Sequence, residues 1–312
     1  MGFVCSKGME GFLVPIMEYR TGHKVRRIGQ SVEEVQRYID YTDVFFFEWL
    51  NQENCSLINK VDFKGKMVVV RLHRYEVLTQ TIREVNWDKV DLLILVSENV
   101  REDFDRRIPH VLQFQDIEIV PNGVDLEVFV PMKKKPGFNI GFSSSHSLVK
   151  QPTVAFFILK ELLEKYDTRY VINWAETYTI ENMKELNLAA MKGIGIESNV
   201  RLCGVVEDMN QWYSQQNVLL HTSIIEGHCV TILECMSKQL PMVVFPHKGS
   251  EVHIPKQHMF YSISQAVDMV HRYAQSTEDY SYLREFIIKK GYTLKDQAEH
   301  IYNAIEERFN RR

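Results

Sequence analysis

The chain has 312 residues, a formal net charge of −4, 45% hydrophobic residues and 25% charged ones. That length suits two domains, the proportions exclude a disordered chain, and the slight acidity argues against a general nucleic-acid binder. Five cysteines (Cys5, Cys55, Cys203, Cys229, Cys235) stand without a C-x-x-C pair or a histidine at zinc spacing, so they read as reduced thiols of a cytoplasmic protein. No apolar run reaches the roughly 18 residues that a spanning helix needs.

In chain order, Phe3-Val4-Cys5 is a candidate first strand, followed by the turn Ser6-Lys7-Gly8 and by Gly11. Met1-Gly2 with Ser6 has the outline of a myristoylation signal, but Phe3-Val4 reads better as a buried strand. Thr21-Gly22-His23 turns into Lys24 to Ile28. Ser31 with Glu34 forms a capping box that opens a helix through about Asp40. Val44-Phe45-Phe46-Phe47, Met67-Val68-Val69-Val70 and Leu92-Leu93-Ile94-Leu95-Val96 are continuous apolar runs. Runs of this kind suit strands buried on both faces, as in a parallel sheet with helices on each side. His73 follows one of them and should emerge at its carboxyl end. Asp103-Phe104-Asp105 falls in a polar helical stretch, residues 98–107, and reads as a solvated face rather than a metal site.

Between Ile117 and Pro136 the composition shifts to Pro, Asn-Gly and a lysine cluster, the mark of a domain junction. The alternation then restarts. Phe138 to Phe142 reads as a strand, Ser143-Ser144-Ser145-His146-Ser147 as a loop, and Pro152 as the first turn of a helix burying Val154, Phe157, Ile158 and Leu162. Tyr170 to Trp174, Asn199 to Gly204 and Asn217 to His221 read as further strands, and Met183 to Lys192 as a helix.

The stretch Glu226 to Phe245 is the most informative. Val230, Leu233, Met236 and Leu240 recur at helical spacing, and Leu240-Pro241 opens an apolar strand. The free N–H groups at such a helix start attract phosphate, and Glu234 lies about one turn further in, within reach of ribose hydroxyls. The stretch equally suits an ordinary amphipathic helix whose acids are stabilised by the dipole. After Phe245 the sequence is mostly helical and ends in an amphipathic segment, residues 294–309.

Several segments, in order from about residue 21 to 245, resemble GT-B-fold retaining glycosyltransferases of family 4 (glycosyl transferases group 1). They are Thr21-Gly22-His23-Lys24-Val25, Asp91 to Ser97, Ile119-Val120-Pro121-Asn122-Gly123-Val124-Asp125 with Phe129 and Pro131, Asn199 to Gly204, and Glu226-x7-Glu234 with Leu240-Pro241-Met242-Val243-Val244. The resemblance implies an α/β fold with two Rossmann-like domains facing a central cleft. Residues 1–119 would be a compact acceptor-side domain, 120–293 the nucleotide-sugar domain, and 294–312 a helix packing back toward the first.

It also implies retaining transfer from a nucleotide-sugar, UDP- or GDP-linked rather than ADP-linked, to a glycan, lipid-linked or other hydroxyl. Lys150, Ser143, Ser144 and the backbone around Gly227, His228, Cys229 and Val230 would hold the diphosphate, Glu234 the ribose, and Val205-Val206 the base. Glu226 and His73 would be catalytic, and Lys7-Gly8 would form the acceptor-side loop. No metal is expected, because the helix dipole and Lys150 take that electrostatic role, and no nucleic-acid partner is expected. Phe12, Leu13 and Ile16 offer an edge for peripheral membrane contact.

Three positions depart from the pattern. Phe142 stands where the family has an arginine, leaving the serines or His146 for the phosphate. Cys229 replaces a glycine, and so does Gln239, where a left-handed residue would cost about 1 kcal/mol and the turn is expected to differ. A non-catalytic GT-B module remains the alternative, with modification of DNA or protein behind it.

Overall fold

The computed structural model describes residues 1–5, 13–19, 23–109, 116–133, 135–179 and 181–312. The chain forms two compact units, residues 1–123 with 291–312, and residues 124–290. The expected acceptor-side loop Lys7-Gly8, as well as Phe12, Thr21 and Gly22, lies outside the described residues.

In the first unit, β1 (Gly2–Val4), β2 (Arg26–Ile28), β3 (Val44–Glu48), β4 (Met67–Leu72), β5 (Leu92–Leu95) and β6 (Ile117–Ile119) form one sheet. Its strands are parallel and ordered β2-β1-β3-β4-β5-β6. The reason for continuous apolar runs is visible in the packing. Phe45, Phe47, Val68, Val70, Leu93 and Leu95 enter one core, while Phe46, Val69 and Ile94 enter another, which Ile301, Tyr302 and Ile305 complete from the helix Leu294–Asn310. Successive side chains point to opposite faces, and both faces are covered.

In the second unit, β7 (Asn139–His146), β8 (Val171–Thr179), β9 (Val200–Gly204), β10 (Val218–His221) and β11 (Met242–Val244) form a parallel sheet ordered β11-β10-β7-β8-β9. Strand succession reverses between β7 and β10 here, and between β1 and β3 in the first sheet. In open α/β sheets, ligands bind beyond the carboxyl ends of the strands at such a reversal.

Five expectations need correction. Leu13 and Ile16 offer no edge to a membrane, because both are buried in the core that backs the first sheet. The serines do not form a loop: β7 runs on through them, because Ser143 and Ser144 pair with Ala175 and Glu176 of β8, and tertiary pairing overrides a weak strand propensity. The helix Pro152–Lys165 buries Ala155, Phe156, Ile158, Leu159 and Leu162, whereas Phe157 is 50% exposed. The helix after Ser31 stops at Arg37, and the Glu34 carboxylate accepts from Gly29 N–H rather than from its cap residue. Gln239 does adopt the left-handed conformation, φ +59°. Leu240 N–H donates to the Cys235 carbonyl and Gln239 N–H to that of Met236, so the helix Val230–Ser237 ends in a Schellman turn without its usual glycine.

Candidate functional site

At the reversal in the second sheet, two loops are tied together. After β7 comes the turn Leu148–Lys150, and after β10 come residues 222–229. Thr222 Oγ1 donates to the carbonyls of Lys150 (2.7 Å) and Gln151 (3.1 Å), and Ile224 N–H donates to that of Val149 (3.0 Å). Lys150 and Glu226, 76 residues apart in sequence, thereby meet with Nζ 2.6 Å from Oε1. Burial opposes ionisation of Glu226, yet the Lys150 charge, with His221 and Ser223, brings its pKa to about 2. The pair is an ionised carboxylate and a cation, 15% and 26% exposed.

His221, the last residue of β10, places Nε2 3.6 Å from Glu226 Oε1 and 3.4 Å from Cys229 Sγ. Burial, with Lys150 and His247, lowers its pKa to about 3 against the pull of Glu226; it is a neutral imidazole. Burial likewise pushes the Cys229 thiol up to about 12. Cys229 is the N-cap of the helix Val230–Ser237, whose first N–H groups and positive dipole end face this loop. Within that helix Glu234 accepts a 2.7 Å hydrogen bond from Tyr213 OH, and burial pushes its pKa up to about 7.

Of the other expected donor-binding residues, Gly227 and His228 are buried in the same loop, with the His228 ring edge-on to His253. Ser144 is buried in β7, with no hydrogen-bond partner for its Oγ among the described residues. His146 is not available to a phosphate: it is fully buried, stacked on Trp174, with Nε2 2.8 Å from Glu176 and Nδ1 accepting from Asn187. Val205 and Val206 follow β9, the edge strand, with Val205 76% exposed. They lie two strand spacings from β7, about 10 Å, so the structure does not gather them with Lys150.

In the first unit, β3 and β4 bring Glu48 opposite Arg71. Arg71 donates to Glu48 (2.9 Å) and to Asn122 (2.5 Å), and His73 Nε2 lies 2.7 Å from the same Glu48 oxygen. The His73 ring stacks on Trp49 at 3.9 Å. Burial keeps its pKa below the ordinary histidine value against the pull of Glu48. Trp49 itself sits at φ +67°, a backbone conformation uncommon for a bulky residue and often found near functional positions. His73 and Glu76 cap the helix Arg74–Val77 reciprocally, and burial pushes the Glu76 carboxyl up to about 8.

Sequence reasoning missed Tyr213, His221, Ser223, His247, Glu48 and Arg71. For His221 a signal existed, since it directly follows a buried run leading to the glutamate motif. For Glu48 and Arg71 none did, because only strand register makes them neighbours. Asp103 and Asp105 pair with Arg106 and Arg101 of their own helix, in keeping with a solvated face. Among the described residues, no helix is long and apolar enough to cross a membrane.

Residues 153–276 match the family model described as glycosyl transferases group 1. No curated protein matches the sequence. Among solved structures, HepE of Anabaena, in complex with UDP and glucose, superposes with a TM-score of 0.77 at 14% identity, covering 98% of this chain and 99% of that one. A glycosyltransferase from Rickettsia africae superposes with a TM-score of 0.72 at 12% identity, covering 98% of each. TarM of S. aureus, solved with fondaparinux, α-GlcNAc-glycerol and UDP, gives 0.72 at 17% identity over 89% of this chain. This chain spans only 58% of TarM. The fold is GT-B, and the resemblance to glycosyl transferases group 1 read from the sequence is borne out.

Proposed function

We propose that this protein transfers a sugar, with retention, from a UDP-linked donor to the hydroxyl of a glycan or related acceptor. The observation that carries the reading is the Lys150–Glu226 pair at the strand reversal of the second sheet, beside the start of the helix Val230–Ser237. The family match over 153–276 and the UDP in the HepE and TarM structures support it.

In this reading the donor's diphosphate lies on the helix start and takes the Lys150 ammonium. As the bond from the anomeric carbon to the phosphate oxygen breaks, negative charge grows on the leaving group, where the fixed cation and N–H dipoles already wait. Glu226, kept ionised, faces the positive charge that develops at the sugar. Glu234 accepts from the ribose hydroxyls, positioned by Tyr213. The transfer as proposed needs no metal. His73 is retained as a catalytic residue on the strength of the resemblance, its neutral ring oriented by Glu48 and Trp49.

The test is incubation with UDP-, GDP- and ADP-sugars, following donor hydrolysis and the anomeric configuration of the product, with UDP binding measured by calorimetry. Turnover of a UDP-sugar with retained configuration is expected. Nucleotide binding without any turnover would leave the non-catalytic module, which the departures at Phe142 and Cys229 favour. No turnover together with no binding of any nucleotide would remove the enzyme reading.

A further inference from the structure

We propose that His221, Glu226 and Cys229 form a site for Zn²⁺ or a similar borderline cation. Cys229 Sγ lies 3.4 Å from His221 Nε2, which lies 3.6 Å from Glu226 Oε1. All three donor atoms fall within 4.8 Å of one another. A tetrahedral zinc ion held at about 2.3 Å by sulfur and about 2.0–2.1 Å by nitrogen and oxygen spaces its ligands by roughly 3.3–3.6 Å, so the sulfur–nitrogen and nitrogen–oxygen separations sit close to edges of that tetrahedron. A thiolate, an imidazole and a carboxylate together suit zinc rather than magnesium or calcium, which take oxygen alone.

His247 lies near the triad, outside that 4.8 Å cluster, and would supply the fourth donor by turning in toward it. The His247 ring is 6.4 Å from that of His221, centroid to centroid. Its Nδ1 lies 3.2 Å from the Lys248 carbonyl, which can only accept, so the proton is on Nδ1 and Nε2 carries the lone pair. That Nε2 is buried and has no hydrogen-bond partner among the described residues. A carbonyl fixing the tautomer of an imidazole is the usual support of a metal-binding histidine. The absence of zinc-like spacing in the sequence does not bear on this site, since its ligands come from the end of β10 and from the loop and cap that follow.

Glu226 Oε1 is also the oxygen that Lys150 holds at 2.6 Å. A divalent cation there repels the ammonium, so metal and Lys150 compete for one carboxylate. Zinc so placed ties up the carboxylate that the proposed function, on which this step rests, turns toward the reacting sugar, so zinc acts as an inhibitor of turnover.

The test uses the full chain, free of metal and of any affinity tag, titrated with Zn²⁺ against a chromophoric chelator and separately with Co²⁺. One equivalent should bind, and cobalt should give the near-ultraviolet thiolate charge-transfer band and the visible bands of a tetrahedral site. Cys229→Ala and His221→Ala should weaken zinc by about 100-fold or more, and His247→Ala by about tenfold. Lys150→Met should tighten zinc by about tenfold, and Cys203→Ala should leave it unchanged. Absence of stoichiometric binding by the wild type, or binding indifferent to Cys229→Ala and Cys229→Ser, overturns the site. UDP titrations with and without zinc separate the two readings. UDP binding without a zinc site removes this inference alone. A zinc site in a protein that ignores UDP removes the nucleotide reading and the inhibition with it.

Discussion

Glu48 and Arg71 in the first unit meet at 2.9 Å with neither side chain exposed; Lys150 and Glu226 in the second meet at 2.6 Å with 15–26% of each in solvent. Both pairs lie at the carboxyl ends of parallel strands, and both carry a neutral histidine, His73 or His221. The difference is in what else the charges touch. The Glu48 pair is sealed by Asn122, by the His73–Trp49 stack and by strands on either side. The Lys150 pair opens onto a helix start whose N–H groups want an anion. An ion pair locked away from water specifies structure, whereas one that solvent partly reaches, beside a helix start, can exchange its partner for a ligand. The same residue types therefore predict opposite mutational behaviour in the two units.

The sharpest break of that comparison is at Glu226. Glu226→Gln should lower turnover by about 10²–10³-fold with UDP binding largely kept, as single-turnover kinetics and calorimetry would show. Wild-type turnover in this variant would put the second pair in the same structural class as the first. Next in size is Arg71→Met, which leaves the Glu48 carboxylate buried and unpaired. It should cost about 3–5 kcal/mol, lowering Tm by on the order of 10 °C, while Lys150→Met, which leaves a Glu226 carboxylate that water partly reaches, should cost less, about 1–3 kcal/mol. Equal melting shifts for the two would erase the distinction.

A smaller effect concerns Glu234, whose pKa of about 7 reflects burial. Ribose hydroxyls donate to the ionised form, so UDP affinity should rise between pH 6 and 8 and binding should release protons. Glu234→Ala should weaken UDP by about 10-fold or more and flatten the profile, as calorimetry in buffers of different ionisation enthalpy would report. Smallest is Glu76 on the sealed side, raised by burial to about 8. A raised folded-state pKa means that the folded chain binds the extra proton, so its contribution to stability falls as pH rises from about 4.5 to 8. Glu76→Gln should therefore raise Tm by a few degrees at pH 9 and leave it unchanged at pH 4. A uniform shift at both values would mean the carboxyl is not titrating in that window.

How far the sequence reached follows the same division. Strands such as β3, β4, β5, β10 and β11 were readable because they are buried along their whole length, whereas β2, with Arg26 and Arg27 exposed, and β6 were not; the spacing of Glu226 and Glu234 was readable because a helix fixes it locally. The serines of β7 misled, since pairing with β8 rather than their own propensity makes them strand. Phe157 misled because a fourteen-residue helix offers more than one apolar stripe to choose from. The Glu48–Arg71 pair and the His221–Cys229 contact depend on register and loop closure across many residues, which no local pattern encodes. Gln239 shows a further limit: the turn it closes is held by its hydrogen bonds and by the buried Leu240, firmly enough to tolerate a side chain where glycine is at ease.

The junction at Gln151 has a bearing on rates and entropy. This residue sits at φ +47°, ψ +52°, between Lys150 and Pro152, and a residue before proline is disfavoured in the right-handed helical region. Its side chain donates to the Leu148 carbonyl and its own carbonyl accepts from Thr222. The backbone that carries the Lys150 cation is thus immobilised when the unit folds, not when a ligand arrives. The ordering cost is met in advance, so an incoming anion loses little affinity to freezing this segment, and association should proceed in a single phase without a slow rearrangement of the loop.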